Sequence, residues 1–246
     1  MVAFLVGLRN LGDEGFAAHS LWLEFEALDT AVYMHDISLQ KRGVRVLSHI
    51  NLKIPRGVVF GLIGPRGSGK TSFLRVLLGQ EKPTTGQVFV LGEKVSDRGY
   101  PNRVGCMRHE HGLIEFLTVE RNLKRFSRSC GVRRSDFTWH EERVLSELEI
   151  DHLKNRPVRS LDSDSKRLVS LACAELGNPE ILLLDEPMAS SGEKFRQVLQ
   201  KNISLRKNTG RTTILLTDKF TDASMCDAAC VLDLGRIVRE MASAEQ

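Results

Sequence analysis

No run of about 18 apolar residues occurs anywhere in the chain, which excludes a membrane-spanning helix within it. The opening MVAFLVGLRN has a short apolar stretch but no basic residue ahead of it and no small-residue cleavage site, which argues against a signal peptide. The five cysteines, Cys106, Cys130, Cys173, Cys226 and Cys230, are odd in number and irregularly spaced. This pattern lacks a disulfide framework's regularity and makes a reducing compartment the easier reading. Cys226 and Cys230 have the spacing of one helix face, yet no His or Cys cluster accompanies them. Core or surface thiols are therefore the simpler reading, and zinc is not implied. Internal repeats and low-complexity tracts are also missing. The charge excess is small, +4 with a pI near 8.9, which suits an anionic ligand or a membrane-proximal surface without specifying either. Nucleic acid is not implied as a partner.

What is present is a chain of 246 residues, 41% apolar and 27% charged, long enough to bury a full core as one large domain or as a core plus a subdomain. Its most informative stretch is GPRGSGKT at residues 64–71, which fits G-x-x-x-x-G-K-[ST]. The apolar run 58–63 ahead of it reads as a short buried strand, and residues 72–78 read as the opening of a helix closed by Gly79. Strand, loop and helix make a phosphate cradle. Gly64, Gly67 and Gly69 allow a tight turn, so that the N–H groups of the loop, with Pro65, Arg66 and Ser68 between the glycines, and the positive helix end face a polyphosphate. Lys70 would reach the β- and γ-phosphates and the Thr71 hydroxyl would ligate Mg²⁺. The competing reading is a chance glycine loop, which the flanking strand and helix disfavour.

The organisation around this loop is α/β. Residues 1–30 are poorly determined, with Leu21, Trp22, Phe25 and Leu28 at helical spacing in a candidate amphipathic helix or loosely packed extension. Strands are expected over 31–37, 44–47, 50–54, 58–63 and 87–91, separated by turn residues such as Arg42-Gly43 and Pro55-Arg56-Gly57, with only Ser48-His49 between the second and third. Residues from about 119 to 160 lack strands and carry helical patterns around Leu123 and around Val144, Leu145 and Leu148, as an inserted helical subdomain would. Lys124, Arg125, Arg128, Arg133 and Arg134 fall there. A solvated positive face explains them first, and a partner- or phospholipid-facing patch second.

A second chemical motif is ILLLDEP, residues 181–187. Four apolar residues ending in two carboxylates describe a buried parallel strand delivering acids at its C-terminal end, where open α/β sheets bind ligands. Asp185 would hold Mg²⁺, and Glu186 would polarise the water attacking a γ-phosphate. Alone, the run could be a strand capped by charges, but the phosphate loop favours the functional reading.

With these pieces in order, the chain resembles the ATP-binding domain of ATP-binding cassette (ABC) transporters. The resemblance rests on residues 64–71 and on PTTGQVFVLGEKV (83–95), VGCM (104–107) and FLTVERNL (116–123). It continues from Leu161 through ILLLDEP to TTILLT (212–217) and the closing LDLGRIVRE (232–240). It covers residues 31–241, with a helical subdomain at about 113–176 and a tail at 242–246. The wording is closest to the exporter-type G and H subfamilies. It implies an α/β P-loop core with an N-terminal antiparallel β-layer, binding of ATP with Mg²⁺, and a membrane-spanning transporter domain or subunit as partner. It further implies a second nucleotide-binding domain and a place at the cytoplasmic face of a membrane, through that partner or through a transmembrane segment outside this chain.

Departures from the family pattern are equally informative. The family's LSGGQ signature, 24 residues ahead of Asp185, falls on Leu161-Asp162-Ser163-Asp164-Ser165, without either glycine. In the family this segment grips the γ-phosphate held by the opposite subunit. Asp164 would put a carboxylate there, and like charges repel in a water-poor interface. The plainer reading is a good helix N-cap, which Ser and Asp supply regardless of catalysis. The family's magnesium-sensing Gln falls on His109, its D-loop Asp on Gly192 and its switch His on Lys219. The adenine-stacking aromatic is replaced near Lys41, with Tyr33 one strand earlier as the alternative. These changes leave the nucleotide cradle whole and break the composite two-subunit site. Binding is expected, hydrolysis is expected to be slow, and a heterodimer with an intact second domain is favoured over a homodimer. A small-molecule kinase or GTPase is disfavoured, because Glu-Pro rather than D-x-x-G follows Asp185 and Thr217-Asp218-Lys219-Phe220 is not [NT]-K-x-D. A nucleotide-responsive regulatory protein that has lost transport is the remaining alternative.

Overall fold

Strand β7 (Ile181–Asp185) shows how the molecule is layered. All its apolar residues are buried, and they alternate between two cores. Leu182 and Leu184 pack into one cluster while Ile181 and Leu183 pack into the other. A strand with side chains on both faces and no solvent on either must be apolar throughout, which is why the sequence reads as an unbroken run. The computed structural model describes residues 29–95, 103–108, 112–189 and 191–242. The extension at residues 1–28, His109 and the tail beyond 242 lie outside the described residues.

β7 belongs to a six-stranded sheet with β3 (Val59–Ile63), β6 (Val104–Met107), β8 (Thr212–Thr217), β9 (Ala228–Asp233) and β10 (Arg236–Ala242), in the order β10-β9-β3-β8-β7-β6. All neighbours are parallel except β9 and β10, which form an antiparallel hairpin. One face carries α2 (Val119–Ser127), α3 (Phe137–Glu147), α4 (Ser163–Glu175) and α5 (Glu193–Asn208), all of which contribute to the first core. The other face carries α1 (Lys70–Leu77) and a four-stranded antiparallel sheet of β1 (Thr30–Lys41), β2 (Val44–Pro55), β4 (Thr85–Val90) and β5 (Glu93–Lys94), in the order β2-β1-β4-β5. No helix among the described residues is long and apolar enough to cross a membrane.

Two local expectations are corrected. Residues 44–54 form one strand, not two. His49 in β2 and Asp36 in β1 both adopt positive φ, at 53° and 50°, and the β1–β2 register shifts between the Met34–Leu52 and Ile37–Ile50 pairs. These bulges carry the strand past the break in alternation that suggested a turn. His49 Nδ1 lies 2.6 Å from Asp36 Oδ1, and the Asp36 N–H donates to Asn51 Oδ1 at 2.9 Å, which closes the bulge with side chains. Cys226 and Cys230 share no helix, because Cys226 ends a 3-10 turn and Cys230 lies in β9. All five cysteines are free, and burial pushes the Cys226 and Cys230 thiols up to about 12.

A buried ion pair joins α4 to α5. Arg206 Nη1 donates to Glu175 Oε1 and Oε2 at 2.9 and 2.8 Å, with both side chains 1% exposed. The remaining donors are spent on Thr213 Oγ1, Pro179 O and Thr212 O. Burial pulls the Arg206 guanidinium below its usual pKa, and the Glu175 charge opposes that pull.

Candidate functional site

β8 anchors both chemical motifs at the C-terminal edge of the parallel sheet. Gly64 N–H donates to Thr217 O at 3.0 Å, and Glu186 N–H donates to Leu216 O at 2.8 Å. The loop after β3 and the turn after β7 are thus fastened to adjacent residues of the strand between them. The loop is braced from a second side, where Gly235 N–H in the β9–β10 turn donates to Ser68 O at 2.9 Å. Gly235 O in turn accepts from Ser48 N–H at 2.8 Å. Gly64 is packed so closely that a Cβ there would overlap Leu232 O and the Ser68 side chain, and Gly69 enters α1 at φ 110°.

Lys70, the first residue of α1, is buried, and its Nζ donates to Gly64 O at 2.6 Å and Pro65 O at 3.2 Å. Glu186 Oε1 lies 3.7 Å from the same ammonium. Glu186 itself sits at φ 48°, an uncommon backbone for a non-glycine residue and one that occurs at functional turns. A cavity of about 530 Å³ opens above these groups, lined by Arg66, Gly67, Gly69, Lys70 and Thr71 from the loop and by Asp185 and Glu186 from the β7 end. Val46 and Ser72 complete its wall. Gly64, Pro65 and Ser68 stand behind that lining, two of them as carbonyl partners of Lys70. A cation, backbone N–H groups at a helix N-terminus, a hydroxyl and two carboxylates around one opening form a donor set suited to a polyphosphate with a divalent cation. The Ser68 hydroxyl is buried beside Gly64, behind this lining, and makes no hydrogen bond.

The other predicted positions are distributed as follows. Asp162 caps α4, with Ser165 N–H donating to its Oδ1 at 2.8 Å, as the plainer reading of that segment expected. Asp164 is not left open, because its Oδ1 accepts from Gly192 N–H at 2.8 Å in the same chain. Lys219 is exposed, and its N–H donates to Thr217 Oγ1 at 3.1 Å. Lys41 Nζ is held by Ser72 Oγ at 3.0 Å and Glu81 Oε1 at 2.7 Å. Tyr33 packs between His35 and Phe89 in the antiparallel sheet rather than lining the cavity. Sequence reasoning missed Val46 and Ser72. Ser72 adjoins the motif and was within reach, whereas nothing local in β2 marks Val46.

A family profile described as ABC transporter matches residues 47–189. Nod factor export ATP-binding protein I of Cupriavidus pinatubonensis is 31% identical over 232 residues, covering 92% of this chain and 70% of that protein. The Fe(3+) ions import ATP-binding protein FbpC of Escherichia coli O157:H7 is 30% identical over 197 residues, covering 79% of this chain and 57% of that protein. Among solved structures, the dimeric ATP-binding cassette MJ0796 bound to ADP and Pi superposes with a TM-score of 0.74 at 24% identity. That match covers 86% of this chain and 98% of that one.

Proposed function

The chain belongs to the ABC transporter family as an ATP-binding domain, and from that premise we propose that it binds MgATP in the cavity above Lys70 and turns it over slowly. The observation that carries this reading is the meeting of Lys70, Thr71, Asp185 and Glu186 around one opening. In it, Gly64, Pro65, Arg66, Gly67, Ser68 and Gly69 form the cradle and Lys70 meets the β- and γ-phosphates. Thr71 and Asp185 would hold Mg²⁺, which neutralises charge on the phosphate oxygens. Glu186 orients and polarises water. The functional unit on this reading is residues 31–241, with a helical subdomain at about 113–176.

The partners in this proposal are a membrane-spanning transporter component and a second ATP-binding domain, which together hold the chain at the cytoplasmic face of a membrane. A partner domain with an intact LSGGQ segment would complete one of two sites, so a heterodimer is the preferred working form. Titration calorimetry with MgATP on the isolated chain is expected to show saturable binding at one site per chain. A flat titration at millimolar nucleotide would remove the proposal.

Turnover is expected to stay below about one per second, the low end for competent enzymes, because residues 161–165 lack the signature glycines and Lys219 replaces the switch histidine. The assay is phosphate release from wild type and Glu186→Gln. A faster rate abolished by that substitution would show that these departures cost little. Saturable binding with no turnover, alone or with a partner, would favour a nucleotide-responsive regulatory role instead.

A further inference from the structure

Two residues that depart from the family pattern, Asp164 and Gly192, meet in space. Asp164 lies in the first turn of α4, and its Oδ1 accepts from the Gly192 N–H at 2.8 Å. Three residues along the same helix, Arg167 donates Nη1 to Pro187 O at 3.0 Å and Nη2 to Ala189 O. Its guanidinium sits 6.0 Å from the ring centre of Phe195 in the first turn of α5. Arg167 is buried, so its cation is committed to those two carbonyls. Burial pulls its pKa down, and the nearby Asp164 carboxylate opposes that pull. The loop between them is the one that leaves Glu186, and the Ala189 N–H folds back to Glu186 O at 3.1 Å.

Space at this contact is as specific as charge. A Cβ at Gly192 would overlap the Asp164 carboxylate. An aspartate at 192, the residue the family pattern has there, would add a like charge at the same point. Glycine at 164 would instead leave the Gly192 N–H without its acceptor and open the volume that a side chain at 192 needs.

We infer that Asp164 and Arg167 are positioning residues that clasp Pro187, Ala189 and Gly192 onto α4 within a single chain, and that Asp164 and Gly192 form one compensated pair rather than two separate losses. The Asp164 charge is thereby engaged inside its own chain. Its charge persists, so the like-charge argument at the opposite subunit's phosphate stands beside this second role.

Hydrogen exchange read by mass spectrometry on peptides covering residues 187–193 of the ligand-free chain tests this, and its outcome is independent of whether the chain binds ATP. Asp164→Ala is expected to speed exchange there about tenfold, the loss of one charge-assisted bond. Asp164→Asn, whose amide oxygen accepts the same bond, should stay within about threefold of wild type. Gly192→Asp alone should speed exchange and lower Tm, while Asp164→Gly with Gly192→Asp should recover most of both losses. Thermal unfolding of each variant separates a local opening from a general failure to fold. Wild-type exchange in Asp164→Ala, loss of protection in Asp164→Asn equal to that in Asp164→Ala, or additive effects of the glycine and aspartate changes would overturn the clasp.

Discussion

Lys70→Ala is expected to weaken MgATP binding about 10- to 100-fold with little change in the stability of the ligand-free chain. The Lys70 ammonium is buried at the floor of the cavity, held by Gly64 O and Pro65 O and 3.7 Å from Glu186. A hydrogen bond to a charged group is worth roughly 1.5–3 kcal/mol net, and each 1.4 kcal/mol is about tenfold in affinity. Stability changes less, because the two carbonyls and Glu186 keep access to water through the opening once the side chain is removed. Calorimetric titration of wild type and variant reads the affinity, and thermal unfolding without nucleotide reads the second claim. Undiminished affinity in the variant would falsify the assignment of residues 64–71 as the phosphate cradle.

Glu175→Ala is expected to destabilise the protein by about 3–5 kcal/mol, which for a domain of this size is roughly 10 °C in Tm. It leaves the Arg206 guanidinium charged, 1% exposed and without a counter-ion between α4, α5 and β8. Breaking a buried pair from one side costs more than the pair itself contributes, because the surviving charge stays desolvated. Replacing both partners, Glu175→Leu with Arg206→Met, should therefore cost less than Glu175→Ala alone. Thermal and urea unfolding of the three proteins measure the difference. A double replacement more damaging than the single one would mean that the bonds from Arg206 to Pro179 O, Thr212 O and Thr213 Oγ1 matter more than the ion pair.

Sequence reasoning reached furthest where chemistry and local backbone coincide. Residues 64–71 carry their own turn, charge and helix start, so strand, loop and helix were legible without knowing what surrounds them. The run 181–185 was legible for a related reason, since burial on both faces leaves an apolar string that ends where solvent and ligand begin. The split of residues 44–54 into two strands failed because a bulge and a turn look alike in sequence. Ser48-His49 interrupts the alternation, but the Asp36 carboxylate that supports His49 lies on the neighbouring strand.

The residues themselves determined that this is an ABC-type ATP-binding domain, since the order and spacing of its motifs follow the chain and survive any rearrangement of what packs around them. Tertiary structure alone decided which groups face one another across distance. It put Val46 at the cavity wall, made Glu175 and Arg206 a buried pair although each reads as an ordinary helix charge, and joined Asp164 to Gly192, 28 residues apart. In sequence a carboxylate declares its charge but not its neighbour. Whether that charge repels a phosphate, caps a helix or holds a loop depends on what the fold brings within about 3 Å of it.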